Sequence, residues 1–413
     1  MEASSTLISA RALLWIVAVI LASGAVCRYL AGRARIPDIV LYLLAGMLLG
    51  PSVTGVITVA ADSELNQVAL LIGASFILFD GGAALRLRVL KQVWITIVVI
   101  ATLGVLITGA ITGLAAQYFL GVPLGVALLL GATLASTDPA TLVPVFRQIH
   151  IRERVSQTVI SESALNDAVA AIFTFSVLGV LLGTQDFNLA HATRELAWSA
   201  GIGLLLGAMI GYGAALLIAH DRLGFLQESV PLVALVSVIG ASLAAARFGA
   251  SGLMAVFIAG VVIGNRDALG LKLGVREEGQ LEDFMAMTSL VMRIFIFVLL
   301  GTQVDLTLVR EHLWPAIAVV CVLMLIARPL TVFICAAPDR RARWSLQELL
   351  FMCWARETGV IPAALAGMLA GARAPQADVI AAVTFMAILL TILVQATTTR
   401  WLAQRLGLLE QVR

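Results

Sequence analysis

Two carboxylates, Glu162 and Asp167, stand in the run Ser161-Glu162-Ser163-Ala164-Leu165-Asn166-Asp167, which interrupts an otherwise apolar stretch reaching to Leu182. A charge at hydrocarbon depth costs roughly 2.5–3.5 kcal/mol on insertion scales, so such residues face a protein interior or a wet cavity and by default mark an ion or proton path. Helical spacing divides the run. Ser163 and Asp167 are four apart and share one face, while Glu162 and Asn166 are four apart on the neighbouring face. Asp167 lies about 12 residues into its segment, roughly 18 Å deep at 1.5 Å per residue, close to the middle of a bilayer. Desolvation there favours the protonated form. One carboxyl can hold a small hard cation through its oxygens or hold a proton, but not both. That exclusion suffices to couple the two in opposite directions.

Few other ionisable groups fall at depth: Asp80, Asp138, Arg293, Arg328, Arg356 and Glu357. In Ala135-Ser136-Thr137-Asp138-Pro139, the proline removes a backbone donor and disfavours helix at Asp138. Ser, Thr and Asp make local hydrogen bonds to freed backbone, so an unwound stretch is expected here. Thr137 can offer oxygen to a cation, and Asp138 can cap the positive end of the half-helix that follows. Arg328, deep in the eleventh segment, needs a carboxylate, and Glu162 is the first choice. If the two pair, both stay charged and neither carries the proton. Asp80, beside Gly81 and Gly82, is either an ion ligand, an acid along the access route, or the partner of an arginine. Arg356 and Glu357 mark a second break; Arg356 either neutralises the C-terminal end of a half-helix or pairs with Asp138 or Glu357. Arg293 reads as a snorkelling or ion-paired residue. His150, His191, His220 and His312 all lie near loops and make no proton relay at depth.

The elements that must position these groups are membrane helices. The chain is 61% hydrophobic and 13% charged, with mean hydropathy +1.01, whereas soluble proteins carry about 25% charged residues. A window of about 19 residues finds about thirteen apolar segments, at 7–30, 37–57, 66–86, 94–118, 121–146, 155–182, 196–219, 229–247, 250–264, 285–304, 314–337, 348–370 and 378–399. The first is expected to be a retained helix, because its flanks lack a signal peptide's basic start and small-residue cleavage site. With the N-terminus outside, about nineteen Lys and Arg fall on the inner face and about five on the outer, which favours N-out and C-in.

The fifth and twelfth segments are both interrupted by polar residues. Breaks at corresponding places of two halves point to an inverted-repeat secondary transporter with a midplane site. The absence of a Walker motif argues against ATP-driven transport. No intramembrane protease motif occurs, and no soluble regulatory domain, cofactor or nucleic-acid partner is expected. The cysteines Cys27, Cys321, Cys335 and Cys353 have no metal-ligand spacing and read as small hydrophobes.

At these residues the chain resembles bacterial members of the sodium/proton antiporter branch of the monovalent cation:proton antiporter-1 family. The run from Glu162 to Val169 is similar to that family's sixth-helix signature, and Thr137-Asp138-Pro139 to its unwound fifth helix. Arg328 is similar to its eleventh-helix arginine, and Arg356-Glu357-Thr358-Gly359 to its broken twelfth helix. The resemblance implies thirteen helices and a homodimer in a bacterial inner membrane. It implies a dimerisation part (about 7–90 and 229–304) and a moving core (about 94–182 and 314–399). It implies that Asp167, Ser163 and Thr137 bind the transported Na+ or the proton, with Asp80 a possible ligand. Glu162 with Arg328 is then a structural pair, and Asn166, Asp138, Arg356 and Glu357 support the crossing helices. An Asn-Asp pair is the family mark linked to electroneutral exchange. Glu357 departs from the glycine that follows this arginine in many relatives. K+/H+ exchange, or organic-anion transport on the same fold, is the alternative.

Overall fold

The computed structural model describes residues 2–34, 36–60, 63–138, 142–143, 145–146, 149–183, 189–219 and 226–410. Expectations about Pro139 and His220 fall outside them. The described chain is helical almost throughout. It runs α1 (Glu2–Ala34), α2 (Asp38–Leu49), α3 (Glu64–Ala83), α4 (Leu87–Leu120), α5 (Leu124–Ala135), α6 (Glu153–Leu181) and α7 (Leu189–Ala219). It continues through α8 (Val230–Arg247), α9 (Gly252–Gly264), α10 (Val275–Thr302), α11 (Leu313–Cys335), α12 (Leu346–Trp354), α13 (Val360–Gly371) and α14 (Ala377–Arg405). Among the described residues, nine helices are long and apolar enough to cross a membrane, and α2, α5, α9 and α13 are shorter apolar helices. The protein is an all-helical polytopic membrane protein.

Local chemistry sets the boundaries. Gly121 closes α4 in the left-handed region at φ 66°, and Pro123 stands just before α5, so the chain reverses within three residues. Three helices contain a wider π turn: Ile100–Gly104 in α4, Leu323–Ala327 in α11 and Thr391–Ala396 in α14. The turn in α11 ends immediately before Arg328-Pro329. Pro329 lacks an N–H, and a register change of this kind lets a helix carry a proline without breaking.

Packing falls into two groups. In the first, α2 lies on α1 and α10, α3 on α9 and α10, and α9 on α7 and α8. In the second, α5 lies on α4 and α6, α11 on α4 and α14, and α13 on α14. Between them runs an apolar seam that includes Ile77, Val143, Phe146, Ile160, Phe297 and Phe351. Helices that share a bilayer gain little from apolar burial and rely on close backbone approach. A side chain at Gly131 of α5 would place its Cβ 2.7 Å from the Gly113 nitrogen of α4 and 3.0 Å from its Cα.

On the side where α11 ends, a polar cluster ties the loop before α12 to α4 and α6. Arg154 stacks over Trp344 at 4.4 Å and pairs with Glu348 at 3.2 Å. The Trp344 indole donates to Thr96, whose hydroxyl donates to Asp339 at 2.6 Å. Burial alone would raise the Asp339 carboxyl. The Thr96 hydroxyl and the N–H groups of Ala342 and Arg341 outweigh it and hold it below the usual carboxylate range.

The close approach makes a direct prediction. Gly131→Val is expected to destabilise the purified protein by at least about 1–3 kcal/mol through overpacking. Gly367→Ala, which faces open space, is expected to leave the thermal midpoint unchanged. Equal midpoints for the two variants would contradict this packing.

Candidate functional site

Both interrupted helices pass through the second group. α5 ends at Ala135, residues 136–138 are non-helical, and the described residues 142–143, 145–146 and 149 are helical again. Likewise α12 ends at Trp354, residues 355–359 are non-helical, and α13 begins at Val360. Each break leaves one helix end of unpaired carbonyls and one of unpaired N–H groups. In an apolar interior an unsatisfied backbone group costs several kcal/mol.

The two breaks satisfy one another. The Asp138 N–H donates to the Glu357 carbonyl at 3.0 Å, joining the non-helical stretches directly. Arg356 reaches back to the end of α5, where its Nη2 donates to the carbonyls of Leu134 at 2.7 Å and Ala135 at 3.0 Å. Asp138 reaches forward to the start of α13, where Oδ2 accepts from the Val360 N–H at 3.1 Å. A positive group thus meets the negative end of one half-helix, and a negative group the positive end of another. The sequence suggested that Asp138 caps the half-helix after it in the chain, whose first residues are not among those described. The described side-chain contact of Asp138 runs across the crossing. Gly359 is required here, because a Cβ at that position would collide with the Asp138 carboxylate.

α6 passes beside the first break and brings its polar run to it. Asn166 clasps Thr137 twice: Nδ2 donates to the Thr137 hydroxyl at 2.7 Å, and Oδ1 accepts from the Thr137 N–H at 3.2 Å. The Thr137 hydroxyl donates to Ser163 at 2.8 Å. Asp167 is 2% exposed. Its Oδ1 accepts from the Ser136 hydroxyl at 2.5 Å, and its Oδ2 is buried without a partner among the described residues. Ser136 carries no site signal in the sequence beyond its place beside Thr137 in the same break.

Glu162 turns the other way. Arg328 Nη1 and Nη2 donate to its two oxygens at 2.5 and 2.8 Å, and Arg328 Nε donates to the Met352 carbonyl at 3.0 Å. Both residues are 2% exposed. A bidentate, fully engaged guanidinium is the strong form of this interaction.

The remaining predicted residues lie apart from this cluster or enter it differently. Glu357 joins the crossing through its backbone, while both carboxylate oxygens are buried without partners. The N–H of Thr358 donates to Thr391, on the π turn of α14. Asp80 lies on α3 and accepts from Ser289 of α10 at 3.2 Å. It lines a cavity of about 160 Å³ with Arg28, Ser289 and Arg293. Arg293 forms no ion pair among the described residues; its Nε donates to the Ser289 carbonyl at 3.3 Å.

An all-helical membrane fold that holds an oxygen-rich, buried carboxyl against two interrupted helices defines a secondary transporter. The chain belongs to the sodium/hydrogen exchanger family, whose transmembrane-domain model matches residues 18–405. It is 32% identical over 402 residues to the K(+)/H(+) antiporter NhaP of Alkalimonas amylolytica, covering 94% of this chain and 66% of that protein. The chain therefore spans just under two-thirds of that longer relative. It is 31% identical to the Na(+)/H(+) antiporter 1 of Methanocaldococcus jannaschii, covering 93% of both chains. The solved structure of the sodium proton antiporter MjNhaP1 from the same organism superposes with a TM-score of 0.78 at 29% identity, covering 96% of this chain and 98% of that one.

The buried pair gives a stability test. Arg328→Met leaves Glu162 uncompensated and is expected to cost about 3–5 kcal/mol, whereas Glu162→Met with Arg328→Met recovers much of it. Thermal denaturation in detergent reads both. A single variant that melts like the wild type would show that the pair carries no structural load.

Proposed function

We propose that this chain is a proton-coupled antiporter of monovalent cations, with Asp167 alternating between a proton and a cation. The observation that carries this reading is the Asp167 carboxylate: one oxygen held by Ser136, the other buried and unpartnered. Charge counting supports it. Among the described residues around the crossing, four acids, Asp138, Glu162, Asp167 and Glu357, are buried with two arginines, Arg328 and Arg356. An excess of buried acid must be neutralised by protons or by cations. Ser163 and Thr137, already beside the carboxylate-bearing face, are the further oxygen ligands for Na+. Asp80 serves the access route or ligates the ion as it leaves.

Glu162 stays bound to Arg328 and does not exchange. Asn166, which cannot titrate, occupies the position before Asp167. One titratable carboxyl then exchanges one charge for one charge, so the cycle is electroneutral. The long helices and the four shorter apolar ones are compatible with thirteen membrane crossings, N-terminus outside and C-terminus inside, the fifth and twelfth discontinuous. The first packing group serves as the dimerisation part (about 7–90 and 229–304) and the second as the moving core (about 94–182 and 314–399). The protein then works as a homodimer in a bacterial inner membrane, in pH and cation homeostasis.

A second substrate, K+, is favoured by one relative that carries K(+)/H(+) in its name. Oxygen number alone does not rank the two ions; ligand placement and flexibility do. Asp167→Asn keeps an acceptor for Ser136 and removes the titratable charge. In vesicles, its Na+- or K+-dependent proton movement is expected to fall to the level of protein-free vesicles while the purified variant stays folded. Exchange at the wild-type rate would refute Asp167 as the carrier.

A further inference from the structure

Arg293 remains without a role in that reading, although it sits well inside α10 (Val275–Thr302). It lines a second cavity, of about 380 Å³, together with Arg28, Arg400, Asp38, Pro37 and Ile149. This cavity opens where α1 and α2 face the end of α14. It shares Arg28 and Arg293 with the smaller cavity that holds Asp80.

The charges lining it do not balance. Three guanidiniums face one described carboxylate, Asp38. That carboxylate is already engaged, because Oδ1 accepts from the Ile39 N–H and Oδ2 from the Tyr42 hydroxyl, both at 3.1 Å. Arg28 and Arg400 are exposed near helix ends, where a long basic side chain snorkels at little cost. Snorkelling does not account for Arg293. It is half-buried, and its one described hydrogen bond, at 3.3 Å, uses Nε. Its two terminal nitrogens are unengaged among the described residues. A guanidinium in that position needs counter-charge, and even with Asp80 of the adjoining cavity counted, three guanidiniums meet two described carboxylates.

We propose that this cavity is a binding site for a phosphate-bearing anion, either free phosphate or the headgroup phosphate of an anionic lipid. Guanidinium groups match phosphate geometry through paired, charge-assisted hydrogen bonds. Basic pockets between membrane helices are a recurrent form of anionic-headgroup site. The cavity falls in the size range of small-molecule sites, about 300–1,000 Å³. A bound phosphate would bridge Arg293 of α10 and Arg28 of α1 to Arg400 of α14, tying the two packing groups together. The site does not depend on Asp167 being the ion carrier.

A ligand that binds only the folded chain raises its thermal midpoint. The full chain, purified in uncharged detergent, is heated with inorganic phosphate at matched ionic strength. In a second arm it is heated with phosphatidylglycerol, using phosphatidylcholine as the control lipid. The midpoint is expected to rise in at least one arm. A rise with phosphatidylglycerol alone identifies the lipid headgroup; a rise with inorganic phosphate identifies the free anion. Arg293→Gln and Arg400→Gln are each expected to need about tenfold more of the same anion, the loss of one charge-assisted hydrogen bond. Arg276→Gln, an exposed arginine outside the cavity, should respond like the wild type. If Arg293→Gln fails to fold, the exposed Arg400→Gln decides. No rise in either arm, or variants that respond at wild-type concentrations, would overturn the site.

Discussion

The reciprocal capping of two interrupted helices is the constraint on which the rest of the site depends. A helix broken in mid-membrane exposes backbone groups that no water can satisfy. Here Arg356 accepts responsibility for the carbonyl end of α5 and Asp138 for the N–H end of α13. A backbone bond from Asp138 to Glu357 joins the two non-helical stretches. Each break supplies a charge that meets a helix end of the other.

That arrangement decides what remains free. Asp138 is occupied at a helix end, and Glu162 is held at both oxygens by Arg328. Asn166 and Ser163 are bound into the Thr137 network. Asp167 keeps an unpartnered oxygen beside this framework. A carboxyl held at one oxygen and left open at the other suits binding of something small that comes and goes. The Glu162–Arg328 pair sits next to it without competing, since a bidentate pair with every guanidinium nitrogen engaged has no reason to release either charge.

The sequence made the class of fold plain, because membrane helices leave long apolar runs. It also made the interruptions plain, since Ser-Thr-Asp and Arg-Glu-Thr-Gly cannot pass unnoticed between them. One-turn spacing was enough to turn Glu162 away from Asp167. The contact across the crossing was not legible. Local rules point Asp138 to the helix next in the chain, and nothing local announces its contact with Val360, more than 200 residues away. Ser136 is illegible for a similar reason: it is one hydroxyl among several in the break, distinguished only by which of them reaches Asp167. Arg293 and Asp80 show the same limit. Their surroundings come from α1, α2, α10 and α14 at once, and no periodicity in one helix encodes that.

The central claim is that a proton and a cation compete for one carboxyl. Proton release on cation binding measures it most directly. Purified protein in weakly buffered detergent is titrated with Na+ or K+ while the solution pH is followed, starting where Asp167 is protonated. About one proton should leave for each cation bound, and none should leave from Asp167→Asn. Cation binding to the wild type without proton release would contradict the account.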